Sequence, residues 1–273
     1  MVLALLRARN LTVSFGPFKA VDDVSFRIKH GETLCLVGES GSGKSMTARA
    51  LMGLLPPGAA VGGAVSFEEL DLFRNRALYT GHQECGRGMA MIFQEPMAAL
   101  NPSMTVETLV GEAYRLRTGL SRQAARERIC EVLQQTGILS PEDLLRVYPW
   151  QLSGGLAQRV MIASNLILKP RLLIADEPTT ALDVTTQAQI LSILLRLRDQ
   201  ASLALLFITH DLSLASLMGG ETMVMKNGIV VESGPTIRVL EEPAHPYTRN
   251  LVACTPARAR REGRKRLSPE GTS

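Results

Sequence analysis

The 273-residue sequence predicts an α/β fold, in which a mixed sheet with flanking helices is joined by an antiparallel β layer and an α-helical insertion. Three observations lead to this prediction. Apolar and polar residues alternate near the start of the chain, which indicates antiparallel strands. Short, continuous apolar runs later come before and after helical segments, an order typical of a parallel sheet with crossover helices. The middle of the chain has helical periodicity instead.

Buried strands of the main sheet are predicted at three apolar runs, Thr33–Val37, Leu172–Ala175 and Ala204–Ile208. Each run has the length of a strand that is covered on both faces. A helical pattern over Thr185–Gln200 separates the second run from the third, so the two strands are expected to be parallel. Further on, Asn227-Gly228 lies between two short apolar runs and predicts a β-hairpin with a two-residue turn.

The helical insertion is predicted to span residues 95–168. Within it, Arg122–Thr136 carries its apolar residues on one helical face, with Ser121 as the N-cap and Gly137 as the stop signal. A second helix is predicted to begin at Ser140-Pro141-Glu142-Asp143, where a cap residue, a proline and two acidic residues stand in the order that favours a helix start.

Charge and hydropathy exclude several classes of function. Residues 257–273 contain six basic and two acidic residues, which accounts for the whole net charge of +4. The rest of the chain is formally neutral and poor in aromatic residues, so binding to nucleic acid is not expected. No apolar run approaches the ~20 residues that span a bilayer. We therefore expect a cytosolic protein, unless something else holds it to a membrane.

The segment Gly38-Glu-Ser-Gly-Ser-Gly-Lys-Ser45 matches the phosphate-binding loop G-x-x-x-x-G-K-[ST]. A buried strand precedes the segment and a helix follows it, the context of a P-loop NTPase core. Its amides and the helix N-terminus would hold phosphates, while Lys44 would reach the β- and γ-phosphates of ATP and Ser45 would ligate Mg²⁺. The predicted ATP-binding residues of this segment are Gly38, Glu39, Ser40, Gly41, Ser42, Gly43, Lys44, Ser45 and Met46.

Two adjacent carboxylates follow the predicted strand Leu172–Ala175. At the carboxyl end of a parallel strand, Asp176 can reach a metal ion beside the phosphate loop, directly or through water. Glu177 can then polarise the water that attacks the γ-phosphate.

The stretch Leu152-Ser-Gly-Gly-Leu-Ala-Gln-Arg159 resembles the LSGGQ signature motif of the ATP-binding cassette (ABC) family, with Leu156 in place of the usual glutamine. The serine hydroxyl and the glycine amides stand at a helix start and form a second anion site, far along the chain from the first. By this resemblance, the motif contacts the nucleotide that the opposite subunit holds. The predicted contacts are Ser153, Gly154, Gly155 and Gln158.

The remaining motifs of the ABC family appear in order along the chain. Gln94 resembles the glutamine that senses Mg²⁺ and the attacking water. Asp183, in Ala181-Leu-Asp183, resembles the D-loop aspartate, and His210 resembles the switch histidine that faces the γ-phosphate. Phe15 stands where the family places an aromatic ring on adenine. The resemblance therefore implies catalytic roles for Glu177, His210 and Gln94, and a metal site at Ser45, Gln94 and Asp176.

Two segments resemble the peptide and nickel importer ATPases of bacteria, namely Glu177–Val184 and His245-Pro-Tyr-Thr-Arg249. This resemblance implies an enzyme that hydrolyses ATP to power the uptake of dipeptides, oligopeptides, nickel or metal chelates. Peptide-transporting members often extend further, with a proline- and cysteine-containing tail, whereas 24 residues follow Arg249. That difference favours a nickel or metallophore ATPase and leaves the cargo open.

The resemblance also implies partners and a location. The partners are a second ATPase subunit, paralogous or identical, two transmembrane permeases and an extracytoplasmic substrate-binding protein. The location is the cytoplasmic face of the bacterial inner membrane, where the chain would be a peripheral protein.

Three parts of the chain are expected. Residues 1–94 and 169–240 form the ATPase core with its antiparallel layer, 95–168 the helical subdomain with the signature motif, and 241–273 the C-terminal segment and the basic tail. Two alternatives remain open. One is a soluble ABC ATPase of DNA repair or translation, and the other is an exporter ATPase.

Overall fold

The computed structural model describes residues 4–73, 88–180 and 182–254. The basic tail and Ala181 of the predicted D-loop lie outside these ranges. The strands are β1 (Ala4–Phe15), β2 (Phe18–Lys29), β3 (Thr33–Val37), β4 (Ala60–Phe67), β5 (Leu70–Asp71), β6 (Met89–Ile92), β7 (Leu172–Asp176), β8 (Ala204–Thr209), β9 (Glu221–Lys226) and β10 (Ile229–Pro235).

The described helices alternate with these strands and also fill the middle of the chain. They are α1 (Lys44–Met52), α2 (Pro96–Ala99), α3 (Val106–Thr118), α4 (Arg122–Gln135), α5 (Pro141–Leu144), a 3₁₀ turn (Pro149–Gln151), α6 (Gly154–Leu166), α7 (Val184–Ala201), α8 (Leu212–Met218), α9 (Thr236–Glu241) and α10 (Pro246–Ala253). None of the helices in the described ranges combines the length and the hydrophobicity that crossing a bilayer requires.

The main sheet has six strands in the order β10-β9-β3-β8-β7-β6. Strands β6, β7, β8, β3 and β9 are parallel to their neighbours, and only β10 is antiparallel to β9. The predicted mixed α/β sheet is therefore confirmed, and the three apolar runs named above are its three central strands. Because these strands are parallel, the loops after them leave the sheet at the same edge.

A second, antiparallel sheet has the strand order β2-β1-β4-β5. It forms the predicted antiparallel layer, and β1 and β2 are the alternating segments at the start of the chain. Sequence analysis did not predict β4, because its first half contains Gly62-Gly63 and is mostly exposed, so the apolar alternation that marks a strand is weak there.

The main sheet separates two hydrophobic cores, and successive residues of β3 point into them alternately. Cys35 and Val37 belong to the core that the helices cover, whereas Leu34 and Leu36 belong to the core shared with the antiparallel sheet and α1. All five residues of β3 are buried. The strand that leads into the phosphate loop is therefore covered on both faces.

Helices α2 to α6 follow one another between β6 and β7, and the longer ones pack together through residues such as Val110, Ile129 and Val160. The helix predicted around residues 122–136 is confirmed. Its cap is confirmed as well, since the Ser121 hydroxyl oxygen accepts a hydrogen bond from the Ala124 amide at 3.2 Å.

The predicted hairpin joins β9 and β10. Asn227 and Gly228 have φ values of 49° and 82°, the left-handed conformation that a two-residue turn of this kind requires. The Gly228 amide donates to the Ser42 carbonyl at 3.0 Å, and the Gly228 carbonyl accepts from the Asp22 amide at 2.8 Å. The hairpin turn thus connects the phosphate loop with strand β2.

Candidate functional site

Four parallel strands end at one edge of the main sheet, and a predicted site residue or loop follows each of them. The segment Gly38–Ser45 follows β3, Glu177 follows β7, His210 follows β8 and Gln94 follows β6. The crevice at the carboxyl ends of the strands is the place where open α/β sheets bind their ligands. The topology thus places chemistry-bearing residues from four distant parts of the sequence at one sheet edge.

The segment Gly38–Ser45 curls tightly against its surroundings. Gly43 has φ 105°, and a Cβ atom on this residue would collide with the carbonyl oxygen of Ala20. Helix α1 begins directly afterwards, and no side chain caps it, because Gly43 is its N-cap residue. The first amides of α1 therefore stay available to an anion, as the sequence motif predicts.

The Lys44 side chain lies inside this loop and is 4% exposed. Its Nζ donates to the carbonyl oxygens of Gly38 and Glu39, each at 2.8 Å, and lies 3.4 Å from the Ser42 hydroxyl oxygen. Burial lowers the pKa of Lys44, while the carboxylates of Glu177, Asp176 and Glu39 act in the opposite direction. The ammonium group is thus a buried charge with carbonyl acceptors on the loop and carboxylates around it.

Ser45 and Asp176 are in direct contact across the site, because the Ser45 hydroxyl donates to Oδ1 of Asp176 at 3.0 Å. Asp176 is buried, and burial raises its pKa, although the Ser45 hydrogen bond acts against this change. A hydroxyl and a carboxylate held together beside a phosphate loop are oxygen ligands of the kind that Mg²⁺ prefers. These two residues therefore fit the ion that the sequence predicts.

Contacts of both its backbone and its side chain hold Glu177 in place. Its backbone has φ 46°, and its amide donates to the Ile208 carbonyl at 3.0 Å. Its Oε2 atom accepts from the Thr180 hydroxyl at 2.8 Å and lies 3.2 Å from Nδ1 of His210. The structure thus brings together Glu177 and His210. Thr180 was not predicted, since a hydroxyl three residues away in a loop carries no signal in the sequence.

Two other predicted residues lie at the margin of the site. Gln94 is exposed just after β6, and no hydrogen bond among the described residues connects it to Ser45 or Asp176. Phe15 is half-buried at the end of β1 and packs against the core beneath the antiparallel sheet. Neither residue is among the hydrogen-bond partners of the Lys44 side chain in the described ranges.

The segment of the predicted signature motif starts helix α6, with Ser153 as its N-cap. The hydroxyl oxygen of Ser153 accepts from the Leu156 amide at 3.4 Å. Ser153 and Gly154 are exposed, and a Cβ atom on Gly155 would collide with the side chain of Thr186. No hydrogen bond within the described ranges links this segment to the phosphate loop, so it presents a second helix N-terminus to the outside.

Gln158 departs from the prediction. The residue is 1% exposed, and its Nε2 atom has no hydrogen-bond partner among the described residues. The helical turn carries Gln158 away from the exposed cap and into the packed face of α6, so a contact with another subunit's nucleotide does not fit this arrangement. The next residue, Arg159, donates instead to the Thr136 and Gly137 carbonyls and to Oε1 of Gln189.

Asp183 is the N-cap of α7, the helix that contains Thr186. Its Oδ1 accepts from the Thr186 amide at 2.9 Å, and its Oδ2 accepts from the Thr186 hydroxyl at 2.7 Å. These hydrogen bonds lower the pKa of Asp183, so the carboxylate is ionised at neutral pH. The contact of Gly155 with Thr186 places the starts of α6 and α7 side by side.

Comparison with protein families finds two matches. A model described as ABC transporter matches residues 21–180, and a model described as oligopeptide/dipeptide transporter, C-terminal region, matches residues 231–272. The first match covers the phosphate loop, the segment around Ser153 and the Asp176–Glu177 pair. The second covers the segment around Tyr247.

Curated relatives match nearly the whole chain. The chain is 46% identical to the dipeptide transport ATP-binding protein DppD of Haemophilus influenzae, over 97% of this chain and 81% of that protein. It is 45% identical to DppD of Escherichia coli, over 93% of this chain and 79% of that protein. It is also 47% identical to the peptidoglycan transport ATP-binding protein YejF of Agrobacterium fabrum, over 92% of this chain and 47% of that protein.

Two solved structures are similar in fold. The cbiO1 protein of Clostridium perfringens, part of the ABC transporter complex cbiONQ, has a TM-score of 0.75 and 25% identity, over 96% of this chain and 99% of that one. The ATP-binding cassette MJ0796, in a dimer bound to ADP and Pi, has a TM-score of 0.71 and 27% identity, over 85% of this chain and 98% of that one.

We expect Asp176→Asn to raise the free energy of unfolding of the nucleotide-free protein at pH 7. Because burial raises the pKa of Asp176, the stability that this group contributes is present below the pKa of the unfolded chain and is lost as pH rises through the folded pKa. Asparagine avoids that loss, so the difference between the two proteins should shrink as pH falls from 7 towards 4. Urea unfolding at both pH values measures it.

The control for this substitution is Asp199→Asn, which removes an exposed carboxylate that pairs with Arg198. Its effect on the free energy of unfolding should stay within about 0.5 kcal/mol. An Asp176→Asn variant that is less stable than the wild type by the same amount at both pH values would contradict the argument from burial.

Proposed function

The chain belongs to the ABC transporter family, and on this premise we propose that it is the ATP-hydrolysing subunit of a bacterial peptide importer. One observation carries the proposal more than any other. The structure places the buried ammonium of Lys44, the Ser45–Asp176 contact and the Glu177–His210 pair at one edge of the main sheet. These groups match what phosphoryl transfer to water needs, namely phosphate binding, a metal site and a carboxylate for the water.

ATP binds, in this proposal, with its phosphates in the loop of residues 38–45. The amides at the start of α1 and the ammonium of Lys44 hold the β- and γ-phosphates, and Phe15 stacks on adenine. Ser45 and Asp176 would hold Mg²⁺ together with Gln94, and the bound ion would neutralise part of the negative charge of the phosphates.

Glu177 orients and activates the attacking water. Its Oε2 atom takes the proton as water attacks the γ-phosphate, and the Thr180 hydroxyl and the His210 imidazole keep that carboxylate in place. His210 is much more exposed than Glu177, and in this proposal its imidazole contacts the γ-phosphate of bound ATP. In this mechanism Asp176 would bind the metal ion, and Glu177 activates the water.

A second copy or a paralogue completes the site. Helix α1 begins behind Gly43 with no side-chain cap, helix α6 begins behind the exposed Ser153, and no hydrogen bond in the described ranges joins the two helix starts within one chain. We place each ATP between the phosphate loop of one subunit and the Ser153–Gly155 segment of the other, with Asp183 at the same interface. The dimer of the similar cassette MJ0796, bound to ADP and Pi, supports pairing of this fold.

The proposed division of the chain follows from this mechanism. Residues 1–94 and 169–240 form the ATPase core, 95–168 the helical subdomain, and 241–273 the C-terminal segment. Closure of the pair moves the helical subdomain, which begins just after Gln94, and this movement drives two transmembrane permeases. The chain is then a peripheral subunit on the cytoplasmic face of the inner membrane, and an extracytoplasmic binding protein delivers the cargo.

Peptides are the proposed cargo. The curated relatives named above are dipeptide and peptidoglycan transport ATP-binding proteins, and the match over residues 231–272 is to the C-terminal region of oligopeptide/dipeptide transporters. These findings favour a peptide importer over an exporter and over an ATPase of DNA repair or translation. They favour peptides over nickel in the same way, without excluding the metal.

We expect Lys44→Ala to lower the rate of ATP hydrolysis by about 100-fold or more, because the variant loses a charged donor to the transferred phosphoryl group. ATP should also bind at least about tenfold more weakly. Hydrolysis is followed by phosphate release and binding by calorimetry. Lys19→Ala removes an exposed lysine of β2 and should change neither quantity. Hydrolysis at the native rate in Lys44→Ala would refute the assignment of the loop.

We expect Glu177→Gln to bind ATP and to lose hydrolysis by a factor of about 10² to 10⁴, since the amide keeps the size of the side chain and cannot accept the proton. The ATP-bound pair should then accumulate, which light scattering of the assembled subunits with ATP and Mg²⁺ detects. Glu221→Gln makes the same change at an exposed position and serves as the control. Native-rate hydrolysis excludes Glu177 as the catalytic carboxylate, and failure to bind ATP contradicts the site geometry.

The cargo is tested with the assembled transporter in liposomes, supplied with its binding protein. A dipeptide should stimulate ATP hydrolysis and accumulate inside, whereas nickel ions should do neither. Lys44→Ala abolishes both effects if the chain powers transport. Stimulation by nickel alone would identify the metal as the cargo and would leave the ATPase assignment intact.

A further inference from the structure

Tyr247 of the C-terminal segment reaches into the phosphate loop. It is the second residue of α10, is 7% exposed and packs in the core on the helix-covered side of the main sheet. Its hydroxyl oxygen accepts a hydrogen bond from the Glu39 amide at 3.1 Å. This contact joins two parts of the chain that are 208 residues apart.

The amide that Tyr247 binds belongs to the peptide group between Gly38 and Glu39. The carbonyl of the same peptide group accepts a hydrogen bond from Nζ of Lys44 at 2.8 Å. In a trans peptide the C=O and the N–H point in opposite directions. Tyr247 and Lys44 therefore hold the 38–39 peptide from opposite sides. The orientation of the peptide plane sets the direction of the carbonyl, and the carbonyl in turn sets the position of the Lys44 ammonium group.

The position of Tyr247 is itself fixed by contacts at the start of α10. The carboxylate of Glu232, on β10, accepts from the amides of Ala244 and His245 at 2.8 and 3.0 Å. His245 caps the helix, since its Nδ1 accepts from the Tyr247 amide at 3.2 Å. On the ring side, Nζ of Lys226 lies 4.7 Å from the Tyr247 ring centroid, a distance that allows a cation–π interaction.

The hydroxyl of Tyr247 keeps its proton at neutral pH. Burial raises the pKa of Tyr247, and the nearby Glu39 carboxylate raises it further, while the hydrogen bond from the Glu39 amide acts against both. A neutral phenol is both an acceptor and a donor, so it can accept from the amide and keep its own proton.

We propose that Tyr247 is a positioning residue for ATP hydrolysis, which fixes the 38–39 peptide and thereby presents Lys44 to the phosphates in a preorganised loop. The inference rests on the proposed function and adds a role for the C-terminal segment in it. Docking of α10 sets the shape of the phosphate loop before ATP arrives. The segment after β10 then contributes to the nucleotide site and does not merely follow the ATPase core.

The kinetic signature follows from where the contact acts. A loop that is less preorganised binds the ground state and the transition state equally less well, which raises KM and leaves kcat unchanged. A residue that only supports the fold would lower the unfolding temperature without that selective change in KM.

The test compares Tyr247→Phe with Tyr114→Phe in the full-length chain assembled with its permeases. The first variant keeps the ring, its core packing and the contact with Lys226, and loses only the hydroxyl group that accepts from the Glu39 amide. The second makes the same change in α3, away from the loop. Loss of one hydrogen bond corresponds to a factor of about 3 to 10 in affinity.

We expect Tyr247→Phe to raise KM for ATP by about 3- to 10-fold with kcat within about twofold of the wild type, and Tyr114→Phe to change neither. A lower melting temperature with KM unchanged, or a loss of kcat with KM unchanged, overturns the positioning role. If the wild type and Tyr114→Phe hydrolyse ATP normally, such a result leaves the proposed function intact. If the wild type does not hydrolyse ATP at all, the proposed function fails and this inference fails with it.

Discussion

The buried ammonium group of Lys44 is the constraint on which the rest of the site depends. A charge that leaves water is tolerated only with good acceptors around it, and two backbone carbonyls of the loop supply them at 2.8 Å. This demand fixes the curl of the loop, which in turn needs Gly43 where the Ala20 carbonyl leaves no room for a Cβ atom. The hairpin turn at Gly228 and the phenol of Tyr247 then hold the loop from outside.

The parallel arrangement of the strands brings the few residues of the candidate site together. Because β3, β8 and β7 lie side by side and run in one direction, the residues that follow them meet without any long loop. Helix α6 instead follows other helices in the chain, and no hydrogen bond among the described residues joins its exposed start at Ser153 and Gly154 to this edge. In the proposed mechanism, a chain built this way carries each half of an ATP site and needs a partner to bring the halves together.

The sequence carries most of the site wherever the chemistry is local. The loop around Lys44, the helix start at Ser153 and the turn at Asn227 each depend on neighbouring residues only, and the structure has all three as the sequence predicts them, whereas the cap at Asp183 was not predicted. Contacts between distant segments could not be predicted from such local patterns. The bond from the Glu39 amide to the C-terminal tyrosine joins distant segments, and no local pattern announces it.

Gln158 shows the second limit, because the burial of a polar side chain depends on how its helix is rotated against its neighbours, and polarity alone suggests an exposed position.

The sequence also does not reveal how burial affects the two charged groups at the centre of the site, Lys44 and Asp176. Burial lowers the pKa of Lys44 and raises that of Asp176, so desolvation disfavours the charged form of both. A fold selected for stability alone would replace such groups with apolar ones. Their presence, at the start of α1 and at the end of the buried strand β7, is explained if the phosphates and the metal ion of Mg-ATP supply the opposite charges, because binding then recovers what desolvation costs.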